Sequence, residues 1–312
     1  MEYLNKKLIR PKGLSKDNLI QIRNFAVSYK IDGEHRFLIL EKDKNPIYLD
    51  LNNDKTLVTS HIWTGEKYVL EGELYKDTFY AFDIIMNGKD LTTLSFKSRY
   101  EHLSDKLLQS LPFYKIKEFI FPKPTETVYS LIKNLKEPEL ETDGLIFMPQ
   151  IYGFFDKSVQ IFKWKPVEQL TADFLCLKLT GDNKYKVYCS MSIYQFKSMQ
   201  LYKLPQYKKE MPKFFPIEFS PYLFKSIDVK NDGESILLVN PEQELNNKIV
   251  ECVWDNDLKY WKPYRIREDK TTAYHKSMLR NEFTGPNNFV TCLQIYKDSL
   301  NPLTLEEITS MS

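Results

Sequence analysis

Tyr29-Lys30-Ile31-Asp32-Gly33 sets a lysine at the mouth of a turn, between the apolar runs Phe25-Ala26-Val27 and Phe37-Leu38-Ile39-Leu40. Both flanks read as strands. A lysine held where two buried strands meet is partly desolvated, and desolvation favours the neutral amine, whose lone pair is a nucleophile at neutral pH. Lys30 is therefore the candidate nucleophile. The K-x-D-G pattern alone fits equally well a solvated lysine before an Asp-Gly hairpin turn. A second copy, Lys230-Asn231-Asp232-Gly233, stands between Ile227-Asp228-Val229 and Ser235-Ile236-Leu237-Leu238. The downstream segments distinguish the two copies. Behind Lys30 come Val69-Leu70-Glu71-Gly72-Glu73-Leu74, Tyr80-Ala81-Phe82-Asp83-Ile84-Ile85, Thr142-Asp143-Gly144-Leu145-Ile146-Phe147, Ile161-Phe162-Lys163-Trp164-Lys165-Pro166 and Trp261-Lys262-Pro263-Tyr264-Arg265-Ile266-Arg267-Glu268-Asp269-Lys270. Lys230 has the last segment alone behind it and reads as a hairpin turn.

On a strand, Glu71 and Glu73 point to one face. Such a pair is either solvated or, beside a lysine nucleophile, suited to a divalent metal or a ribose. Lys163 and Lys165 share one strand face, with Phe162 and Trp164 on the other. Surface alternation explains that pattern without function, but behind a nucleophile and two acidic strands the lysines read as clamps on an α-phosphate. Arg265, Arg267 and Asp269 alternate along what reads as one strand face, a spacing equally open to an exposed ion-pair ladder. Phe82, inside an apolar strand, reads by default as a core aromatic.

The elements that position these residues are set by periodicity and caps. Ser15 caps a helix carrying Leu19, Ile22 and Phe25, which leads into the strand before Lys30. From Phe37 to Leu74, short strands broken by Asn45-Pro46, Asn52-Asn53-Asp54 and Gly65 read as antiparallel hairpins. Ser98 opens one helix with Tyr100, Leu103, Leu107 and Leu111 on a face, and Thr125 another with Val128, Leu131, Ile132 and Leu135. Past Pro166 a Tyr- and Lys-rich series of short strands suggests a small β-barrel, with a helix inserted between Ser192 and Leu204. Asn301-Pro302-Leu303-Thr304-Leu305 reads as the start of a last helix.

A chain of 312 residues that is 42% hydrophobic, with 20 Tyr and 20 Phe, is globular and long enough for two domains. Net charge is +2, so a polyanionic partner has to be met by a local basic surface. Cys176, Cys189, Cys252 and Cys292 are scattered, without a C-x-x-C pair, and read as reduced thiols. No apolar run approaches the roughly 20 residues of a membrane helix, and Met1-Glu2-Tyr3-Leu4-Asn5 does not begin a signal peptide. A cytoplasmic protein is expected, in the cytosol, a viral factory or a virion, with the nucleus also open.

The order of motifs from Lys30 to Lys270 closely resembles that of the covalent nucleotidyltransferase superfamily, comprising mRNA capping guanylyltransferases and ATP-dependent DNA and RNA ligases. The form of Lys262 to Lys270, ending R-x-D-K, is similar to that of the capping enzymes, including viral ones. The resemblance implies an α+β fold, with a nucleotidyltransferase domain of antiparallel sheets and helices at 1–170, an OB-fold barrel at 171–295 and a helical tail at 296–312. It implies a lysyl-GMP intermediate formed at Lys30 from GTP and passed to the diphosphate 5′ end of RNA. Around the nucleotide it places Asp32, Gly33, Arg36, Glu71, Phe82 on the base, Lys163 and Lys165 on the α-phosphate, and Arg265. Glu73 and Asp143 would hold Mg2+ or Mn2+, and Arg267, Asp269 and Lys270 would orient the leaving pyrophosphate. Expected partners are an RNA triphosphatase and a cap methyltransferase; no membrane is expected. An ATP-dependent ligase and a non-catalytic RNA-binding module are the rival readings. The chain departs from the family at His35, where an arginine contacting ribose is common and the arginine is instead Arg36. One register step reverses the face of a strand, so either a bulge restores Arg36 or His35 makes the contact. A further arginine has no counterpart in Tyr48-Leu49-Asp50-Leu51, Glu71 replaces a common aspartate, and Thr271-Thr272-Ala273-Tyr274 lacks the asparagine usual after R-x-D-K.

Overall fold

The two apolar runs flanking Lys30 form strands of different sheets. A computed structural model describes residues 8–50, 54–58, 62–179, 184–198, 200, 214–218, 236–238, 244–280 and 285–311. The second K-x-D-G copy at Lys230 lies outside them. The chain divides into two compact units, Met1–Pro166 with Leu303–Ser312, and Val167–Pro302.

In the first unit the described strands are β1 (Lys12–Gly13), β2 (Phe25–Ile31), β3 (Glu34–Leu40), β4 (Ile47–Leu49), β5 (Lys55–Leu57), β6 (Tyr68–Tyr75), β7 (Thr78–Asn87), β8 (Lys89–Asp90), β9 (Tyr114–Ile116), β10 (Thr142–Pro149) and β11 (Phe162–Trp164). One sheet runs β1-β11-β10-β2, the other β5-β4-β3-β6-β7-β8 with β9 on β7. Pairing is antiparallel apart from β1–β11 and β7–β9. Asp32-Gly33 therefore carries the chain from one sheet to the other and is not a hairpin turn. The Asp32 amide donates to the Glu141 carbonyl (3.1 Å), and Gly33 passes so close to β6 that a Cβ there would stand 3.0 Å from the Leu74 carbonyl oxygen. The alternation of β3 sends Leu38 and Leu40 into a core with Leu70, Phe79, Ala81, Ile84 and Leu103, and Phe37 and Ile39 into another with Val69, Ile85 and Phe154.

Helices here are shorter than periodicity suggested. The Ser15 segment is a 3-10 helix, Lys16–Ile22, and the Ser98 region breaks into Phe96–Glu101, capped by Ser95, a 3-10 turn and Lys106–Gln109, capped by Asp105. The last helix starts at Leu305 and not at Pro302, because Thr304 and Glu307 form a capping box. Its Ile308, with Leu303, is buried against Leu14, Val128, Leu145, Phe147 and Phe162, and the Leu303 carbonyl accepts from Trp164 Nε1 (2.6 Å). The expected tail at 296–312 is thus divided: residues up to Leu300 end a helix, Phe289–Leu300, and with Asn301 and Pro302 belong to the second unit, while Leu303–Ser312 belongs to the first.

The second unit holds β12 (Thr171–Lys178), β13 (Lys184–Ser192), β14 (Phe214–Glu218), β15 (Ile236–Leu238), β16 (Lys248–Asp255) and β17 (Tyr260–Ile266), in the order β14-β13-β12-β16-β17. β15 pairs with β13 and lies alongside β17, an OB-like curl of the sheet, although among the described residues the ladder of hydrogen bonds does not close. Its core gathers Phe174, Val187, Val250, Trp254, Trp261, Phe289 and Tyr296 with all four cysteines, each buried as a free thiol. The expected inserted helix is described over Ile193–Ser198.

Candidate active site

Lys30 ends the face of β2 that also carries Ala26 and Ser28. Across the sheet that face continues through Ile146 of β10, paired with Ser28, and Lys163 of β11, paired with Ile146. The register of β10 on β2 shifts between Thr142 and Leu145, and in the irregularity Gly144 adopts φ +129°. A Cβ there would lie 1.9 Å from the Trp164 carbonyl oxygen, so glycine alone fits. The irregular backbone brings the Asp143 carboxylate between two ammonium groups: Lys30 Nζ is 2.7 Å from Oδ1, and Lys165 Nζ contacts Oδ2. Lys30 is 23% exposed, partly desolvated as its position between two strands predicts. Burial raises the pKa of Asp143, yet the two lysines outweigh it and hold the carboxyl below its ordinary value.

The other sheet supplies the second wall. β3 pairs with β6 in unbroken register, Glu34↔Leu74 through Leu40↔Tyr68. No bulge restores Arg36: it faces away from Glu71 and Glu73 and is bound by Glu34 Oε2 (2.5 Å) and its neighbour's carbonyl. The expectation that Arg36 contacts the nucleotide is corrected, since strand alternation puts His35 on the face of the two glutamates. His35 Nε2 is 2.7 Å from Glu71 Oε1, while its Nδ1 is buried without a hydrogen bond. Burial disfavours the charged ring, but the hydrogen bond and charge of Glu71, with Glu73, raise its pKa overall.

Where β6 pairs with β7 the register slips between Glu71↔Asp83 and Gly72↔Ala81, which leaves Phe82 as the extra residue of a bulge. Phe82 is half-buried and packs against the cluster of Ala26, Ile146 and Met148. Asp83 behind it is fully buried and held by Arg99 through two bonds, Nε to Oδ1 at 2.8 Å and Nη2 to Oδ2 at 2.7 Å. Burial pushes this carboxyl up to about 6 against the pull of Arg99. Breaking such a pair by removing one partner costs about 3–5 kcal/mol.

Lys117 was not singled out by motif order. It follows β9, which pairs in parallel with β7, and its amide bonds the Ala81 carbonyl (2.8 Å). Its side chain is 4% exposed, with Nζ 2.7 Å from Glu73 Oε2 and 5.5 Å from the centroid of Phe82. Burial lowers its pKa against the opposing pull of Glu73, and the charges of Lys30 and Asp143 are near enough to act on it. Lys30, Asp143 and Lys165 thus form one ion-paired group and Lys117 with Glu73 another beside Phe82, close enough for the charges of Lys30 and Asp143 to act on Lys117. Among the described residues no group of three or more His, Cys, Asp or Glu is placed to hold a metal. By donor chemistry Glu73 and Asp143 nevertheless suit a hard divalent cation whose remaining ligands are water and phosphate oxygens, and the two oxygens of Asp143 that would turn to it are held here by Lys30 and Lys165.

In the second unit the expected strand face of Arg265, Arg267 and Asp269 is corrected. β17 ends at Ile266, and Glu268–Arg280 is a helix, so Asp269 and Lys270 lie in its first turn. Acidic residues favour that position and Thr271-Thr272-Ala273-Tyr274 continues it. Arg265 Nε donates to Glu251 Oε2 (2.6 Å), and Arg267 grips Asp269 with Nε and Nη2.

Residues 172–291 match the family model described as mRNA capping enzyme, C-terminal domain. The chain is 26% identical over 304 residues to the mRNA-capping enzyme subunit alpha of Candida glabrata, covering 84% of this chain and 65% of that protein. It is 26% identical over 318 residues to an mRNA-capping enzyme of African swine fever virus (strain Badajoz 1971 Vero-adapted), covering 91% and 35% respectively. The chain therefore spans about two thirds of the yeast relative and about a third of the viral one, and it is similar to mRNA-capping enzymes along most of its own length, as its motif order implied. Among solved structures, a mycobacterial DNA ligase D complexed with ATP and MES aligns over 86% of this chain and 97% of its own at 12% identity and a TM-score of 0.43.

Proposed function

We propose that this chain is a covalent nucleotidyltransferase of the mRNA-capping kind, which forms a lysyl-GMP intermediate from GTP and transfers GMP to the diphosphate end of RNA. The observation that carries the reading is the cluster in which Asp143 joins Lys30 to Lys165 while Lys117 and Glu73 lie beside Phe82. Nζ of Lys30, having lost a proton to solvent, attacks the α-phosphorus; a P–N bond forms, the α–β phosphoanhydride bond breaks, and pyrophosphate leaves with the electron pair. Lys163 and Lys165 stabilise the charge that develops on the α-phosphate. Glu73 and Asp143 would hold Mg2+ or Mn2+, which when bound neutralises phosphate charge. Arg267 and Lys270 bear on the departing pyrophosphate, with Asp269 holding Arg267 and Arg265 beside it.

Phe82 offers its ring to the base, and the ammonium of Lys117 near that ring favours a base edge that accepts a hydrogen bond. Guanine carries an exocyclic oxygen where adenine carries an amine, so the donor favours GTP over ATP. His35 and Glu71, in place of Arg36, line the ribose side. The RNA 5′ end is the acceptor; the name subunit alpha borne by the yeast relatives accords with a partner subunit, and the partners proposed are an RNA triphosphatase and a cap methyltransferase. Among the described residues no helix is long and apolar enough to cross a membrane.

The test is incubation with a divalent metal and α-labelled GTP or ATP, followed by denaturing electrophoresis. The expected product is protein-bound label from GTP, labile in acid and stable in alkali as a phosphoramidate is. Label from ATP alone would transfer the reading to a ligase, and label from neither would leave a binding module.

A further inference from the structure

Two carboxylates lie directly opposite each other in the interior of the second unit. Asp173 of β12 pairs with Glu251 of β16, and Glu251 with Arg265 of β17. Like charges in that relation are destabilising unless compensated, and both are mostly buried, with side chains 7% and 12% exposed. Compensation comes from cations lying over them on the outer side. Lys270 Nζ bonds Asp173 Oδ2, Arg267 Nη1 is 3.5 Å from Asp173 Oδ1 and 4.0 Å from Glu251 Oε2, and Arg265 Nε is 2.6 Å from Glu251 Oε2. The backbone of Asp173 and the carboxylate of Glu251 are fixed from within. The Asp173 amide donates to Asn287 Oδ1 and its carbonyl accepts from the Asn287 amide, each at 2.8 Å, and Thr171 Oγ1 donates to Glu251 Oε1 at 2.6 Å.

We infer that Asp173 and Glu251 are positioning residues: a buried carboxylate cradle that holds the ammonium of Lys270 and Nη1 of Arg267 from behind and so orients the two cations for an oligophosphate anion. This deepens the proposed function and rests on it. Long basic side chains lose rotamer entropy when fixed, and a cradle that has already fixed them removes that cost from the step in which pyrophosphate departs. It also gives Asp269 a narrower part than its place in the motif suggests, since it grips the far edge of Arg267 while 65% exposed.

The test measures three rates in the full chain and in Asp173→Asn and Glu251→Gln: lysyl-GMP formation against GTP concentration, its reversal by pyrophosphate, and transfer of GMP from accumulated intermediate to diphosphate-ended RNA. Formation and reversal should fall together by about tenfold or more, chiefly in the maximal rate, while transfer stays within about twofold and the melting temperature is little changed. Unchanged formation in both variants, or an equal loss in all three rates, overturns the inference. Should either variant not fold, Asp173→Asn is placed in a Lys270→Ala background. If Asp173 acts through Lys270 the double variant forms lysyl-GMP about as fast as Lys270→Ala alone, and a further tenfold loss overturns the cradle. Absence of labelling in the unaltered chain would refute the nucleotidyltransferase reading itself, an outcome distinct from normal labelling in Asp173→Asn.

Discussion

Lys117 is the residue of the proposed site that motif order did not supply. A buried ammonium beside Phe82 is a donor that can choose between bases, so Lys117→Gln, which keeps a donor toward Glu73, should lower the ratio of GTP to ATP labelling by about tenfold. An unchanged ratio would place base choice elsewhere. Removing the amine altogether, as in Lys117→Ala, leaves Glu73 poorly exposed and unpaired, and should cost about 3–5 kcal/mol in denaturant unfolding. His35 yields a pH test. Its pKa is raised above 6.5 in the folded chain, so its ion pair with Glu71 contributes stability fully below about pH 6.5, and that contribution is lost as pH rises through the folded value. The stability difference between the unaltered chain and His35→Gln should shrink above that range; a difference that grows with pH would mean the ring is held neutral. The sequence made Lys30, Asp143 and Lys165 legible because each stands in a motif. Lys117 was hidden: its partner Glu73 is 44 residues away, and Lys115-Ile116-Lys117 looks like the alternation of any surface strand.

At the scale of elements, two irregularities in pairing aim the chemistry, one at Gly144 and one at Phe82. Gly144→Ala should cost about 3 kcal/mol in denaturant unfolding, from a strained φ and the clash with the Trp164 carbonyl, and should slow self-labelling because Asp143 is moved from Lys30. A variant as stable as the unaltered chain would show that the backbone there relaxes freely. Strand identity was readable from alternation, including the hairpins after Phe37. Register was not, because His35 and Arg36 exchange faces with a single bulge, and only the unbroken pairing of β3 with β6 decides between them. The charged end of β17 misled for a related reason: Arg265, Arg267 and Asp269 alternate as a strand would, but Asp269 also favours the first turn of a helix, and the helical pattern of the succeeding residues prevailed.

For the whole molecule, the chain divides after Pro166, four residues before the boundary expected at 170, and the return of Leu303–Ser312 to the first unit has no counterpart in the sequence pattern, because two buried residues leave little periodic signal. Burying Leu303 and Ile308 is worth about 1.5–3 kcal/mol each, so a chain ending at Pro166 should unfold at distinctly lower denaturant than one in which 303–312 is restored by a flexible linker. Equal midpoints would show that the last helix is dispensable to that unit. The central claim is narrower: one lysine, Lys30, carries the nucleotide. It is tested most directly by incubating the chain with Mg2+ and GTP, digesting at alkaline pH, and locating the adduct by peptide mass spectrometry. A single GMP is expected on the peptide containing Lys30, absent in Lys30→Ala and undiminished in Lys230→Ala. GMP on Lys230, or on another lysine with Lys30 unmodified, would contradict it.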